Sequence, residues 1–541
     1  MNNAIFNFEN PQNEVTLNYA PNSPERELLT KELKRLESTQ IEIPLIIDGK
    51  EVKTGKLGKV VMPHDHGHVL ATYHMATEKE VEMAAKAAIK AQKLWADTDW
   101  TVRSAILLKA AELLATKYRP LINASTMLGQ GKNAFQAEID AACETIDFLR
   151  YNAFFASKIY NEQPKSGFNQ LNKMEYRALE GFVFTVSPFN FTAIASNLNM
   201  SPVLMGNTTV WKPATTSIFS NYYLMKIFME AGLPDGVINF LPGSGSVIGK
   251  VAFGQKEFAG VHFTGSNETF NSIWRSISEN LSTYRSYPRI VGETGGKDFV
   301  FVHPSANELE VAVAIIRGAF EFQGQKCSAA SRGYIPKSLW PKIKELLLQM
   351  VSEISVGDVR DFKNFVNAVI DENSFNNIMS YIEHAKNSPD AKILAGGNGD
   401  KSKGYFIEPT IIETTNPKFK TMEEEIFGPV MTIYVYDDND LEQAIELCDQ
   451  TSPYALTGAV FARDRVAAAY ISEKLKNAAG NFYVNDKPTG AMVGLQPFGG
   501  ARASGTNDKA GGSLNLLRWT SPRTIKETYL PATDFRYPFM M

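Results

Sequence analysis

Phe182-Val183-Phe184-Thr185-Val186-Ser187-Pro188 is the stretch of this chain that indicates its fold. Five β-forming residues, four of them apolar, predict a strand buried on both faces, and the Ser-Pro pair ends it. Strand and helix patterns then alternate at residues 207–212, 216–231, 237–241, 246–253 and 260–264. Strands that alternate with helices build a parallel sheet covered by helices, so the sequence predicts an α/β fold with a Rossmann-type nucleotide-binding region.

The segments before and after this alternating region have different residue patterns. Residues 1–50 are polar and we expect an irregular arm, whereas residues 78–117 and 137–155 have the apolar spacing of amphipathic helices. After residue 298 a second α/β region begins, and residues 521–529 have strand character. A chain of 541 residues is too long for one compact core, so several domains are expected.

Composition limits the class of protein. Hydrophobic residues make up 44% and charged residues 21%, as in ordinary soluble enzymes, and the net charge of -4 favours neither nucleic acid nor an anionic membrane as a partner. Three cysteines are too few for a disulfide framework and fit a reducing compartment. The amino terminus has neither a secretory pattern nor an Arg-rich, acid-poor transit pattern, so we expect a cytoplasmic location.

Residues 181–211 contain no charged side chain, and that length raises the question of a membrane span. Pro188, Pro202 and several asparagines in this stretch are costly in lipid. We therefore predict a buried strand, loop and helix beside a functional site.

Two motifs carry chemistry. Cys327 lies in the run Gly324-Gln325-Lys326-Cys327-Ser328, and Glu293 opens the run Glu293-Thr294-Gly295-Gly296-Lys297. A thiolate is a strong nucleophile that a nearby cation favours, and a carboxylate can serve as a general base. A lone cysteine is more often a small buried apolar residue, which is our reading of Cys143 and Cys448. The two motifs together favour covalent catalysis at a carbonyl carbon.

At this point a family resemblance becomes specific. The chain resembles the aldehyde dehydrogenase superfamily over nearly its whole length, and within it the subfamily of 1-pyrroline-5-carboxylate dehydrogenases. The motifs that carry the resemblance are Ser187-Pro188-Phe189-Asn190-Phe191, Trp211-Lys212-Pro213, Phe263-Thr264-Gly265-Ser266, the Glu293 and Cys327 runs, Glu425-Ile426-Phe427-Gly428-Pro429 and Pro497-Phe498-Gly499-Gly500. The subfamily rests on residues 323–329 and 500–509.

The resemblance implies that the chain oxidises glutamate γ-semialdehyde to glutamate in proline catabolism, with the semialdehyde supplied by a separate enzyme. Cys327 would form a thiohemiacetal and then a thioester, and Glu293 would activate the water that hydrolyses the thioester. The Asn190 amide and the Cys327 N–H would form an oxyanion hole. Without the resemblance, the favoured interpretation of Asn190 is a turn residue that caps its own backbone.

The resemblance implies NAD as the cofactor, with NADP left open because Thr215 stands where several NAD-specific relatives have glutamate. Lys212 would contact the adenosine ribose, and Glu425 with Phe427 the nicotinamide side. A helix starting after Gly265 would offer N–H groups to the pyrophosphate. The implied cofactor residues are Ser187, Lys212, Thr215, Gly265, Ser266, Asn267, Glu268, Thr269, Glu425 and Phe427.

For the substrate, the resemblance places the α-carboxylate against Ser328 and the N–H groups of Gly490 and Ala491, with Phe498 packing beside the chain. Lys326 either attracts this carboxylate, lowers the pKa of Cys327, or faces away. The run His64-Asp65-His66-Gly67-His68 puts three histidines at alternate positions, as a zinc site would. Its glycine, the preceding proline and the lack of a fourth ligand favour a surface strand or loop, and we predict no metal site.

The expected organisation has four parts. They are an arm (residues 1–45), a nucleotide-binding domain (46–160 and 182–297), a catalytic domain (298–505), and a small β oligomerisation hairpin with a tail (161–181 and 506–541). The aromatic tail from residue 530 needs a partner surface, so we expect a homodimer or a higher homo-oligomer. Two rival functions remain: another semialdehyde or aliphatic aldehyde dehydrogenase, and a catalytically silent protein of the same fold.

Overall fold

The structure, a computed structural model, describes residues 8–541. Within that range the helices are α1 Pro24–Glu37, α2 Glu78–Trp95, α3 Trp100–Ala115, α4 Arg119–Gln130, α5 Ala134–Ala137, α6 Glu144–Asn161, α7 Thr192–Leu204, α8 Ile218–Ala231, α9 Gly245–Phe253, α10 Asn267–Glu279, α11 Glu308–Phe320, α12 Trp340–Glu353, α13 Glu372–Lys386, α14 Lys420–Glu423, α15 Leu441–Gln450, α16 Arg465–Lys474 and α17 Ser513–Arg518. A π-helical turn, Glu138–Cys143, runs directly into α6.

The strands are β1 Ile41–Ile43, β2 Leu45–Ile47, β3 Lys50–Val52, β4 Leu57–Met62, β5 Asp65–His74, β6 Gln170–Arg177, β7 Phe182–Val186, β8 Thr208–Lys212, β9 Ile238–Phe240, β10 Phe258–Thr264, β11 Arg289–Glu293, β12 Asp298–Val302, β13 Ala330–Pro336, β14 Ala391–Ala395, β15 Gly399–Asp400, β16 Phe406–Ile407, β17 Thr410–Thr414, β18 Val430–Tyr436, β19 Tyr454–Ala455, β20 Thr457–Phe461, β21 Asn481–Val484, β22 Ala501–Arg502 and β23 Ser521–Thr528.

The first large sheet confirms the predicted parallel α/β architecture. Its seven strands lie in the order β11-β10-β7-β8-β9-β2-β3, and the first five are mutually parallel. The predicted strands at 182–186, 207–212, 237–241 and 260–264 correspond to β7 to β10 with end differences of one or two residues. Because the apolar strands are buried on both faces, as in Phe182 to Thr185 of β7, helices must cover both sides.

The second large sheet also has seven strands, in the order β14-β17-β18-β13-β12-β20-β21. All neighbours are parallel except β14 and β17 at the edge. Its apolar faces pack against α11 and α12 on one side and against α13 and α15 on the other. The second α/β region expected after residue 298 is therefore confirmed.

A separate two-stranded antiparallel sheet joins β6 to β23 over eight residue pairs, from Ser521 with Arg177 to Thr528 with Gln170. It matches the strand character expected for residues 521–529. The segment that follows exposes a row of large apolar side chains, including Leu530, Phe535 and Phe539, which are 77%, 85% and 84% exposed.

The expectation that residues 1–50 form an irregular arm is wrong for residues 24–37, which form α1, and for strands β1 to β3, and residues 1–7 lie outside the described residues. Helix α1 starts at the N-cap Ser23 and buries Leu29, Leu33 and Leu36 against the core, with β1 next. The leucine spacing and the Ser-Pro start were visible in the sequence as a helix signal. Before α1, the Leu17 N–H donates to Glu138 at 2.8 Å, so even this non-helical segment is tied to the body.

The uncharged stretch at residues 181–211 folds as predicted into β7, a loop, α7 and β8. Pro202 sits inside α7, and the whole helix is buried except Ile194 at partial exposure. Among residues 8–541, no helix combines the length and the apolar character that crossing a membrane requires.

Candidate functional site

The candidate site lies where the carboxyl ends of the first sheet face the second sheet. Asn190 follows β7, and Glu293 ends β11. Cys327 lies in the loop that leads into β13. Cys327 and Glu293 both line one cavity of about 260 Å³. Ligands of open parallel sheets bind at the carboxyl ends of strands, so this edge of the sheet is where a site is expected.

The cysteine loop has an unusual backbone. Phe322 and Gln323 have φ values of 51° and 55°, a left-handed conformation that non-glycine residues rarely adopt, and Gly324 follows at 66°. The Gln323 amide donates to the carbonyl oxygens of Gly131 and Ala368, both at 2.9 Å. The strained turn is therefore held from two other parts of the chain, and it sets the position of the cysteine. No local sequence signal indicated this role for Gln323.

Two glycines allow the Glu293 loop to touch the cysteine loop. A Cβ on Gly296 would lie 2.2 Å from the carbonyl oxygen of Cys327, and a Cβ on Gly295 would lie 1.9 Å from a carboxylate oxygen of Glu425. The Gly296 N–H also donates to Glu425 at 3.0 Å. Any side chain at either position would separate the predicted nucleophile, base and cofactor carboxylate, which explains the Gly-Gly pair physically.

The electrostatics of Cys327 differ from the expectation. Burial raises the pKa of the Cys327 thiol well above its ordinary value, and the carboxyl groups of Glu293, Asp298 and Glu425 raise it further. Lys326 does not counter this, because its ammonium binds Glu321 at 3.3 Å. The expectation that the neighbouring cation favours the thiolate is therefore wrong, and the thiol needs a base to accept its proton.

Glu293 has the properties of such a base. Burial raises the pKa of its carboxyl group to about 8, with Asp508 raising it and Lys509 lowering it. The side chain remains partly exposed to the cavity. A carboxyl group that titrates near neutral pH accepts and releases protons readily, which suits general-base chemistry.

Asn190 is buried, and its amide Nδ2 donates to the carbonyl oxygen of Gln325 at 3.1 Å. This bond joins the β7 loop to the cysteine loop two residues before Cys327. The amide is thus held beside the nucleophile's backbone, where its remaining N–H can serve the predicted oxyanion role.

The predicted cofactor residues gather at the same sheet edge. Lys212 ends β8 opposite Val186 of β7, and Ser266 caps the start of α10 after β10. Burial lowers the pKa of the Lys212 ammonium to about 8, and among the described residues it has no carboxylate partner. A partly buried cation without an anion, at the same sheet edge as a helix amino terminus, fits a ligand with hydroxyl and phosphate groups.

The other predicted cofactor residues lie around these two. Thr215 and Glu268 are exposed, and Asn267 donates to the carbonyl oxygen of Ala503 at 2.8 Å. Phe427, at a φ of 59°, makes an edge contact with Phe189 at 5.7 Å. The remaining predicted cofactor residues lie after strands of the two large sheets. Ser187 follows β7, Gly265 follows β10, Ser266 and Thr269 lie at the start of α10, and Glu425 lies in the segment between β17 and β18.

Phe270 packs against the first sheet beside the predicted cofactor residues. Its ring stacks on Phe263 with the centroids 5.4 Å apart. A Cβ on Gly292 would lie 2.2 Å from the same ring. Phe270 therefore fills the space between α10 and β11, and Gly292 provides the room for it.

The predicted substrate residues line the cavity together. Ser328 and Thr489 share a hydrogen bond of 2.8 Å between their hydroxyl oxygens. Gly490, Ala491 and Phe498 continue the wall from Thr489. Lys326 also lines the cavity, so of the three alternatives for this residue, facing away is wrong.

The three histidines do not converge. His64 is buried with its Nε2 3.5 Å from Asp358, whereas the His66 and His68 Nε2 atoms hydrogen-bond the carbonyl oxygens of Lys401 and Glu37, each at 3.0 Å. Cys143 and Cys448 are buried, as expected of packing residues. Within residues 8–541, no group of three or more His, Cys, Asp or Glu side chains is arranged to hold a metal ion.

Comparison with known proteins agrees with this geometry. The chain is 54% identical to "Delta-1-pyrroline-5-carboxylate dehydrogenase, mitochondrial" of Dictyostelium discoideum, over 99% of the chain and 97% of that relative. It is 48% identical to the protein of the same name from Danio rerio, over 98% and 95%. The crystal structure of the Mycobacterium tuberculosis delta-pyrroline-5-carboxylate dehydrogenase bound with NAD is 48% identical, covers 100% of both chains and superposes with a TM-score of 0.96.

These relatives correct one expectation. The Dictyostelium and Danio proteins are both named as mitochondrial, which contradicts the cytoplasmic location expected from the amino-terminal composition. The composition of a short terminal segment is weak evidence about compartment. On the larger question the comparisons and the site agree, because residues 51–525, which include every predicted site residue, match the aldehyde dehydrogenase family. The chain belongs to the aldehyde dehydrogenase family.

Proposed function

We propose that this enzyme oxidises L-glutamate γ-semialdehyde, formed when 1-pyrroline-5-carboxylate opens, to L-glutamate with reduction of NAD, in proline degradation. The observation that carries the proposal is the single cavity in which Cys327 and Glu293 lie beside the Ser328, Gly490 and Ala491 wall. Relatives about half identical over the full chain bear the corresponding name, and a neighbouring structure was solved with NAD.

The first step is addition of the thiol to the aldehyde. Glu293 accepts the proton of Cys327 as the sulfur bonds to the carbonyl carbon, because the raised pKa of the thiol leaves it protonated at rest. The carbonyl electron pair moves to oxygen, where the Asn190 amide donates a hydrogen bond. Such a preorganised donor contributes about 10²–10³ in rate.

NAD, when bound, supplies the hydride acceptor that makes this a two-electron oxidation. Lys212, the start of α10 and Glu425 would hold it at the sheet edge. Thr215 carries no charge that repels a 2′-phosphate, so the side chain alone does not exclude NADP. As the tetrahedral carbon gives up hydride, its C=O bond re-forms and leaves a thioester on Cys327.

Hydrolysis completes the cycle. Glu293, after passing its first proton to solvent through the cavity, takes a proton from water as that water bonds to the thioester carbon. The carbon–sulfur bond then breaks, the Cys327 sulfur takes the proton of the carboxylic acid so formed, and the product leaves as a carboxylate while Glu293 returns its proton to solvent. One partly exposed base with a pKa of about 8 can serve both proton transfers.

The test of this function is turnover of 1-pyrroline-5-carboxylate beside succinate semialdehyde and propanal, with NAD and then NADP. We expect the first substrate to have a kcat/KM at least about tenfold above the others, because a fitted carboxylate contact contributes about that factor. NADH formation is the readout. Equal turnover of all three would support the general aldehyde dehydrogenase alternative, and no turnover at all would support the silent-fold alternative.

We also propose that the chain works as a homo-oligomer through β6, β23 and the tail that follows. The support is the row of exposed apolar side chains after β23, since such patches mark association surfaces. Light scattering after size exclusion is expected to give at least twice the chain mass of 60.0 kDa. An oligomer of chains that end at Tyr529 should have a higher dissociation constant, so it should separate into monomers at concentrations at which the full chain stays associated. A monomeric full-length protein would contradict the proposal.

We also propose the four-part domain division, with residues 1–45 as a structured segment that contains α1 and not as an irregular arm. Its support is that the boundary at residue 297 falls between β11 of the first sheet and β12 of the second.

A further inference from the structure

A cluster of four charged side chains forms one wall of the cavity next to Cys327. The Glu321 carboxylate is nearly inaccessible to solvent, and three cations surround it. Arg317 Nε lies 3.0 Å from Oε1, while Lys326 Nζ and Lys487 Nζ lie 3.3 and 3.4 Å from Oε2. All three cations line the cavity, and Glu321 lies behind them.

The charges of this cluster do not cancel. The Arg317 side chain is 48% exposed, so water screens its charge. The ammonium groups of Lys326 and Lys487 share the single Glu321 carboxylate, which leaves one positive charge in excess in the less exposed part of the wall. Burial opposes ionisation of Glu321, but Lys326, Lys487 and Arg317 outweigh it and lower the pKa of the carboxyl group. Buried charges are normally paired, so an excess of this kind indicates a missing anion.

Two carboxyl groups that line the same cavity, those of Asp140 and Glu144, do not supply that anion. Asp140 is paired with Lys132. Burial and the neighbouring Asp140 raise the pKa of Glu144 well above its ordinary value, which disfavours its charged form, although Lys132 and Lys326 act against the shift.

Hydrogen bonding agrees with the charge count. Each ammonium has three donors. Among the described residues, Lys326 Nζ has one acceptor, Glu321, and Lys487 Nζ has two, Glu321 and the Thr489 carbonyl oxygen at 3.1 Å. Three of the six donors are left for a ligand.

Lys487 is the cation best placed to act on the substrate wall. It binds the carbonyl of Thr489, whose hydroxyl group meets that of Ser328. The Lys487 ammonium also lies 2.9 Å from where a Cβ on Gly490 would be. Its charge therefore lies against the turn that presents the Gly490 and Ala491 N–H groups.

We propose that Lys487, oriented by Glu321, is a specificity-determining residue that makes the site select aldehydes carrying a carboxylate remote from the reacting carbonyl. This inference rests on the proposed function for the identity of the natural substrate. Glu321 acts as a positioning residue, because its carboxylate holds Lys487 and Lys326 side by side without neutralising both. Aldehydes without a carboxylate gain no binding energy from the positive charge of this wall.

The experiment compares Lys487→Met with the wild type for 1-pyrroline-5-carboxylate and propanal. The ratio of the two kcat/KM values should fall about 10- to 100-fold, mainly through KM, since one charge-assisted contact is lost. Lys487→Arg should restore most of the ratio by restoring the charge. Lys337→Met, which removes an exposed lysine paired with Asp437, is the control and should leave the ratio unchanged.

A second arm does not depend on the natural substrate. Glutarate, a dicarboxylate without an aldehyde, should inhibit propanal turnover by the wild type, and its inhibition constant should rise about 10- to 100-fold in Lys487→Met. If the wild type ignores 1-pyrroline-5-carboxylate but glutarate inhibits through Lys487, the proposed function fails and this inference stands.

Parallel losses for both aldehydes, or glutarate inhibition that Lys487→Met leaves unchanged, would overturn the inference. Where Lys487→Met fails to fold, Lys487→Gln keeps a donor for the Thr489 carbonyl oxygen, and the same ratios decide.

Discussion

Replacing Cys327 with alanine is expected to lower kcat by about 10⁴-fold or more, because no other group can form the covalent intermediate. Cys143 also lines the cavity, but its thiol is engaged by Arg119 and Glu138 at 3.4 and 3.5 Å. NADH formation with 1-pyrroline-5-carboxylate measures the loss, and binding of NAD to the variant shows that the cofactor side remains intact.

The matched control is Cys448→Ala, which removes a thiol buried in α15 on the second sheet, away from the cavity. It should retain activity close to that of the wild type. Turnover by Cys327→Ala within tenfold of the wild type would show that the nucleophile is another group, and the proposed mechanism would then be wrong.

Replacing Glu293 with glutamine is expected to lower kcat by about 10²–10⁴-fold, the usual contribution of a general base. The pH dependence gives a second signature. The pKa of the Glu293 carboxyl group is about 8, so at pH values below 8 the group is mostly protonated and cannot accept a proton. Wild-type kcat/KM should therefore fall about tenfold for each pH unit below that value and level off above it, whereas the glutamine variant should lack this titration.

Asp508→Asn is the informative control for that experiment. The Asp508 charge raises the pKa of Glu293, so its removal should move the wild-type pH profile to lower pH without abolishing turnover. A glutamine variant whose pH profile matches that of the wild type would assign the titration to another group.

The fold was largely predictable because its signals are local. The apolar run at Phe182–Val186, the Ser-Pro stop and the Ser266 helix start each depend on neighbouring residues, and the structure contains all three. Helix α1 was missed although its leucine spacing was present, because the polar composition of residues 1–50 was given more weight than the periodicity.

The sequence indicated candidate members of the site but not their electrostatics. Residue types and order in the Cys327 and Glu293 motifs indicated a nucleophile and a base. The direction of the Cys327 pKa shift was wrong because Lys326 is adjacent in sequence yet pairs with Glu321, while carboxyl groups from distant segments surround the sulfur. Neighbours in the sequence are close along the backbone, but the charged groups that surround each side chain depend on how distant segments fold together.

The amino-acid order alone thus determined the parallel α/β architecture and the family, and it indicated the side chains proposed to react. Turn residues, hydrophobic periodicity and motif residues are properties of short segments. Only the tertiary structure decided that the thiol is protonated at rest, that Glu293 titrates near neutral pH, and that Lys487 joins Lys326 on Glu321 across 166 residues of chain. Those properties depend on burial and on charges brought together by folding, because the energy of a charge is set by the dielectric and the partners around it.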